Sequence, residues 1–254
     1  MADPYGFAAD AEAVVLVPAL VVAYVVLTRI FPVSRARAWA FAGGIVLILA
    51  VFVTPVQPIA LHYLLAAHLL QNVVLAEWAP ALLVLALPPT LAAEAGQLPV
   101  VRALTRPVVA LPLWLAVYFA WHVPWAYDAA LRRPETLLHL EHLSYLAAGV
   151  LLWWPVVHRA PHALAAGAKA VYLFAAFVLA SPIGLMLALL PHAVYTTYKN
   201  GPGLWGLGPD TDQQLAGLTM AAEQAVVFFA VFAAFFLRFL REEEARGQLD
   251  GARP

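Results

Sequence analysis

The side chains best suited to chemistry in this sequence are its eight histidines, since it contains no cysteine. Imidazole is a common ligand for copper, zinc and haem iron. His139 and His142 are three residues apart, so in a helix they share one face. His68 is followed at the third and fourth positions by Gln71 and Asn72, which gives a polar stripe. Without thiolates, a soft metal would have to be bound by histidine, and copper fits such ligands best.

The elements that must position these histidines are membrane helices. Of the 254 residues, 64% are apolar and 11% are charged, and the mean hydropathy is +0.82. Soluble domains carry about a quarter charged residues, so lipid must be the main solvent. The absence of a basic block argues against a nucleic-acid partner. We predict an all-α polytopic membrane protein, a single domain of seven spans at 12–30, 38–56, 62–87, 107–122, 137–157, 169–191 and 214–239.

The positive-inside rule predicts the orientation of this seven-helix bundle. The cations on one side are Arg29, Arg35, Arg37, Arg102, Arg106, Arg159, Lys169, Arg238, Arg241, Arg246 and Arg253. The other side has only Arg132, Arg133 and Lys199. We therefore expect the N-terminus outside and the C-terminus in the cytoplasm, with 242–254 as a short polar tail.

In this topology six histidines fall at or near the outer ends of four spans. At a rise of 1.5 Å per residue, His68 lies roughly 10 Å and Asn72 about 15 Å below the start of their span. Polar groups at such depth are costly and usually face the bundle interior or a wet cavity. The clustering favours a metal site over histidines that only bond neighbouring helices. The predicted ligands are His68, His122, His139, His142 and His192, while His62 is the remaining outer histidine.

Other polar residues are candidates to support a metal site. Asp128 and Asp212 could accept hydrogen bonds from the ring N–H groups of bound histidines. Glu223 lies inside span seven and Glu77 inside span three, where an ionisable group is costly. For Glu77, a paired interior group and a functional group are both open. The predicted supporting residues are Asp128, Asp212, Gln71, Asn72, Gln213 and Glu223.

Three segments between spans three and seven carry a more specific pattern. The first segment is His68-Leu-Leu-Gln71-Asn72, followed by Ala79-Pro80. The second runs from Trp121-His122 through Asp128 and His139-Leu-Glu141-His142 to Trp153-Trp154-Pro155. The third runs from Pro182-Ile-Gly184 through Tyr195 and Tyr198 to Asp212-Gln213-Gln214-Leu-Ala-Gly217. Together these segments resemble the CtaG-type cytochrome c oxidase assembly proteins of bacteria. Spans one and two match that family only in being apolar.

The resemblance implies a role in maturing a haem–copper oxidase in the bacterial plasma (inner) membrane, with copper as the ion handled and an oxidase subunit as partner. One position departs from the family pattern. Where the family usually has a second histidine after H-x-x-Q, this chain has Asn72, a poor copper ligand. His62 precedes His68 by six residues, which is not a same-face spacing.

Several functions are compatible with this pattern. No Gly-rich phosphate loop, nucleophile elbow or H-E-x-x-H motif occurs, so we expect no enzyme. The leading hypothesis is a factor that binds copper in the outer leaflet and passes it to an oxidase subunit. A copper or other cation transporter would use Glu77, Asn72 and Glu223 as steps of a polar path. A membrane haem protein would use His68 and His122 as axial ligands, and a scaffold would use the histidines only to link helices.

Overall fold

The computed structural model describes residues 3–7 and 10–251, with side chains through residue 248. In chain order its helices are α1 (Glu12–Ile30), α2 (Arg35–Val53), α3 (Val56–His62), α4 (Leu65–Ala86), α5 (Pro89–Ala95), α6 (Pro99–Leu104), α7 (Pro107–His122), α8 (Pro124–Arg132), α9 (Pro134–Val157), α10 (Ala166–Leu189), α11 (Thr196–Lys199) and α12 (Pro209–Gly251). The described residues form no β-strand, which confirms the predicted all-α class.

Six helices of the described chain are each long and apolar enough to cross a membrane: α1, α2, α4, α9, α10 and α12. The predicted span at 107–122 is α7, which has 16 residues and is long and apolar enough only together with α8, at an angle of 73° to it. Pro124 has no N–H with which to continue α7, and Val123 before it is extended, with φ −66° and ψ 125°. With α7 and α8 counted as one bent span, the predicted seven-span bundle is confirmed.

Two boundaries differ from the predicted ones. The span predicted at 62–87 is interrupted near its start, because α3 ends at His62 and α4 begins at Leu65. His62 is therefore an exposed residue at the end of a short helix. At the other end of the chain, α12 continues without a break to Gly251, so the predicted tail begins as further exposed turns of the last helix.

Small residues allow the long helices to pack closely, as is common between membrane helices. A β-carbon on Gly149 of α9 would overlap the backbone of Ala76 in α4. A β-carbon on Gly217 of α12 would overlap the backbone of Gly184 in α10. The first of these contacts holds α9 beside α4, so the first turns of both helices lie at the same end of the bundle.

Three of the long helices contain a π-helical turn. Glu12–Leu16 opens α1, Val74–Trp78 lies within α4, and Pro134–Leu138 opens α9. Such turns are frequent at functional sites, because the extra residue changes the direction of the side chains around it. The first π-turn carries Glu12, and the third leads directly into His139.

Candidate metal centre

The centre of the candidate site is the end of the bundle where α4 and α9 begin. The first turn of α4 is held by Asp212 of α12, whose carboxylate accepts the N–H groups of Leu65 at 2.6 Å and Ala66 at 3.1 Å. Free N–H groups at a helix start need such acceptors. Asp212 thereby fixes the start of α4, one turn before His68.

Glu12 of α1 binds two histidines of α9. Its Oε1 lies 2.8 Å from Nδ1 of His139 and 2.7 Å from Nδ1 of His142. Both imidazoles therefore lie on one helix face, as their spacing predicted. Glu12 and His142 are buried, whereas the His139 side chain is 28% exposed. Among the described residues, these three are the only group of histidines and acids whose ligand atoms all lie within 4.8 Å of one another.

His68 of α4 is fully buried, and its hydrogen bonds define its tautomer. Its Nδ1 lies 2.8 Å from the hydroxyl of Tyr198, which donates its own proton to the carbonyl of Ala60 at 2.5 Å. A phenol has one proton, so Nδ1 of His68 must be the donor in its bond to Tyr198. Nε2 then carries a lone pair rather than a proton.

The same reasoning applies to His122 and His142. Nδ1 of His122 lies 2.7 Å from the carbonyl oxygen of Tyr118, and Nδ1 of His142 binds the Glu12 carboxylate. Oxygen atoms of these types accept hydrogen bonds, so each Nδ1 is the donor. In the described chain, Nε2 of all three histidines is buried and has no protein hydrogen-bond partner. This is the state of a metal-binding imidazole, with one nitrogen held by an oxygen and the other available.

The buried imidazoles are close neighbours. The ring centroids of His68 and His142 are 6.4 Å apart. The ring of Tyr127 on α8 lies between His68 and His122, with centroid separations of 5.0 Å and 6.3 Å. Three elements beside α8 therefore contribute one imidazole each: α4, α7 and α9.

Two further residues line the inner side of this histidine group. Glu141 is fully buried, and its Oε1 lies 3.8 Å from Nε2 of His68. The Asn72 amide donates to the same carboxylate oxygen at 3.0 Å. Asn72, which departs from the family pattern, therefore reaches the histidine group together with the Glu141 carboxylate of α9.

The side chains of these residues could hold a metal ion. Imidazoles whose Nε2 atoms have no protein partner suit borderline and soft metals, and each ring is oriented by a hydrogen bond at Nδ1. Glu12, His139 and His142 offer a second ligand set at the more exposed edge. His142 belongs to both sets, since its two ring nitrogens face Glu12 and the buried side respectively.

Some predicted site residues lie elsewhere. His192 is 82% exposed and lies 3.6 Å from Asp210 at the surface, apart from the buried histidines. Asp128 accepts the N–H groups of Thr196 and Thr197 at 3.0 and 2.9 Å, so it caps α11. In this structure both carboxylates accept backbone N–H groups at two helix starts. Glu12, Tyr198 and a backbone carbonyl accept the imidazole N–H groups.

The remaining predicted supporting residues connect helices. Gln71 donates to the carbonyl of Val51 at 2.7 Å and also bonds Gln57. Gln213 accepts the N–H of Val194 at 2.7 Å and donates to the carbonyl of His192 at 3.1 Å. These contacts position the helices around the site without touching the free Nε2 atoms.

Deeper in the bundle, Glu223 and Glu77 form a second polar region. Glu223 accepts the Trp78 indole N–H at 2.7 Å. Gln224 donates to Glu77 at 3.1 Å and to the hydroxyl of Tyr118 at 2.9 Å. The backbone carbonyl of Tyr118 in turn holds His122, so one residue contacts both this polar region and the histidine group.

Sequence reasoning missed three residues of the site: Glu12, Glu141 and Tyr198. Glu12 opens the first apolar span, and no spacing in the sequence links it to α9. Glu141 lies between His139 and His142 on another face of α9, so its own spacing gave no link to His68. The sequence did contain a signal for both residues. An acid within an apolar segment is costly unless it has a polar partner, so each of them could have been expected to contact one.

Comparison with known proteins gives one match. The family model described as cytochrome c oxidase caa3 assembly factor (Caa3_CtaG) matches residues 19–242. No curated protein and no solved structure matches the chain.

Proposed function

Because the chain belongs to the cytochrome c oxidase caa3 assembly factor family, we propose that it serves oxidase assembly as a non-catalytic copper-binding membrane protein. Copper is its cargo, and an oxidase subunit is the acceptor. The excess of cations on the opposite side of the bundle supports an outward-facing position of the histidines in a bacterial plasma membrane, where the copper would be received and passed on.

One observation carries this proposal. His68, His122 and His142 are buried, each has Nδ1 bonded to an oxygen, and each has a free Nε2. Leaving a buried polar atom without a partner costs about 1–3 kcal/mol, so three neighbouring cases call for a common explanation. A bound ion would take a lone pair from each, and it would have to draw the three imidazoles together, since their ligand atoms do not all lie within 4.8 Å of one another in the described chain.

We assign the two ligand sets different roles. The buried set of His68, His122 and His142 would hold copper. His139 is the one partly exposed histidine beside it and shares the Glu12 carboxylate with His142. His139 would therefore receive the ion first, and Glu12 would keep His142 in the tautomer that presents Nε2 to the buried side.

The test is copper stoichiometry of the purified full-length protein in detergent, after loading with Cu(I) and gel filtration. We expect one tightly held copper in the wild type and its loss in His142→Ala, His68→Ala and His122→Ala. His192→Ala removes an exposed histidine and His162→Ala a half-buried one, both outside the proposed site, and they are the matched controls. Full copper in the three buried variants, with unchanged helix content, would refute the assignment. Loss limited to Glu12, His139 and His142 variants would move the ion to the outer set.

A second candidate function is cation transport, because Tyr118 contacts His122 through its backbone carbonyl and Gln224 through its hydroxyl, and Gln224 bonds Glu77 deep in the bundle. Copper flux into sealed vesicles, abolished by Glu77→Gln, would support it. Assembly without transport predicts stoichiometric binding and no flux.

The position of Tyr127 argues against a haem held by His68 and His122. The ring of Tyr127 packs against both His68 and His122, where a porphyrin between two axial histidines would have to lie. A Soret band in the purified protein would contradict this interpretation.

Full oxidase assembly by the His68, His122 and His142 variants would instead leave the histidines with only a scaffold role.

A further inference from the structure

At the opposite end of α9 from the histidines, two adjoining cavities lie between α10 and α12. The first has a volume of about 410 Å³ and is lined by Arg159, Lys169 and Arg238, together with Glu242 and apolar residues that include Val157. The second is an apolar groove of about 490 Å³. Ala165 and Glu242 line both, so the two spaces meet.

The first cavity has an excess of positive charge. Arg238 is paired with Glu242 at 2.9 Å. Within the described part of the chain, neither Arg159 nor Lys169 forms a salt bridge. Lys169 gives one of its protons to the carbonyl of Val156 at 2.6 Å and lies 5.1 Å from the ring centre of Phe235. Its other donors and the Arg159 guanidinium are available to an anion.

The groove beside this cavity is shaped by small residues on one helix and aromatic residues on the other. They are Gly167, Ala168, Val171, Phe232, Phe236 and Phe239. A β-carbon on Gly167 would lie 3.0 Å from Cδ2 of Phe239, so glycine keeps this passage open. Val171 is 69% exposed, although it is apolar. The acids at the mouth, Glu242 and Glu243, are each paired with an arginine of α12.

We propose that the two cavities together form a binding site for an anionic phospholipid. Its phosphate would lie between Arg159 and Lys169, and one acyl chain would fill the groove. The arrangement matches both parts of such a molecule, because unpaired cations attract the phosphate and a membrane-facing groove excludes polar ligands. The site involves none of the proposed copper ligands and does not depend on the proposed function.

The experiment is native mass spectrometry of the full-length protein released from detergent with phosphatidylglycerol or phosphatidylcholine at matched chain length. We expect selective retention of phosphatidylglycerol by the wild type. Arg159→Gln with Lys169→Gln should weaken it by about fivefold for each cation removed, the effect of roughly one lysine or arginine near an anionic lipid surface. The matched control is Arg35→Gln with Arg106→Gln, two exposed cations outside both cavities.

Two further arms identify the source of the phosphate. Val171→Trp should fill the groove and reduce lipid retention without changing any charge. Inorganic phosphate should compete only weakly, because it cannot use the groove. Equal retention of both lipids, equal loss in the control variant, or full competition by inorganic phosphate would each overturn the phospholipid assignment.

Discussion

His142 and Glu12 join α9 to α1 through a hydrogen bond of 2.7 Å from Nδ1 to Oε1, and both side chains are buried. The bond connects two segments that are 130 residues apart in sequence. It also decides which ring nitrogen of His142 is free. In the proposed copper site, this carboxylate would therefore affect the affinity for copper through the orientation of His142.

Replacing Glu12 should weaken copper binding without unfolding the bundle. A glutamine at this position can still accept one hydrogen bond through its amide oxygen, but it lacks the charge that favours donation from both imidazoles. We expect Glu12→Gln to lower the affinity for Cu(I) about 10–100-fold, the usual effect of losing a group that orients a metal ligand. Competition with a chromogenic Cu(I) chelator measures it. Asp10→Asn changes a neighbouring acid that bonds Gln57 and should leave the affinity unaltered.

Asn72 offers a gain-of-function test. Its amide lies 3.0 Å from Glu141, which is itself 3.8 Å from Nε2 of His68. We expect Asn72→His to add an imidazole to this group and to tighten copper binding by about tenfold, or ~1.4 kcal/mol. The same chelator competition detects the change, and Asn72→Ala is the comparison that adds no ligand. An affinity for Asn72→His no higher than that of Asn72→Ala would place the ion away from α4.

The helices could be predicted well because their signal is local. Apolar segments gave all seven predicted spans. Six of them are single helices long enough to cross a membrane, and the one at 107–122 is α7, which ends where Pro124 lacks an N–H and the chain bends into α8. The start of α4 could not be predicted in the same way. It depends on Asp212, 147 residues away from Leu65 in sequence, and no local pattern shows that contact.

The candidate site was only partly predictable for the same reason. His139 and His142 share a face because of their spacing, which is a property of one helix. His192 was placed with them because it lies at the outer end of a predicted span. The position of a residue along the bundle axis does not determine whether its side chain points into the bundle or outward. Glu12 and Tyr198 contact the histidines from distant segments, so their roles depend on helix packing that the sequence does not show.

His158 gives the fold a predictable dependence on pH. It lies beyond the end of α9, and its Nε2 donates to the carbonyl of Val84 at 3.0 Å. Burial lowers the pKa of His158 from 6.5 to about 4, with Arg37 and Lys169 adding repulsion. The unfolded chain therefore binds this proton more readily than the folded one between those values. The contribution of His158 to the free energy of unfolding is therefore fully present above pH 6.5 and is lost as the pH falls toward 4.

By about pH 5, protonation of His158 in the unfolded chain should lower the free energy of unfolding by an amount on the order of 1 kcal/mol. Thermal unfolding in detergent, followed by circular dichroism between about pH 7 and 5, measures the slope. His158→Gln keeps a donor for Val84 but cannot be protonated, so its slope should be shallower than that of the wild type. Parallel slopes for the two proteins would assign the acid sensitivity to other groups.

Asp212 should matter for stability and, through the start of α4, for the position of His68. Asp212→Ala leaves the N–H groups of Leu65 and Ala66 without their acceptor in a buried setting. We expect a loss of about 1–3 kcal/mol, the usual cost of an unsatisfied buried donor or a lost cap. Thermal unfolding detects it, with Glu94→Gln as a control that removes an exposed acid. Copper affinity should fall as well, because the first turn of α4 carries His68. Wild-type stability in Asp212→Ala would show that the start of α4 is held by other contacts.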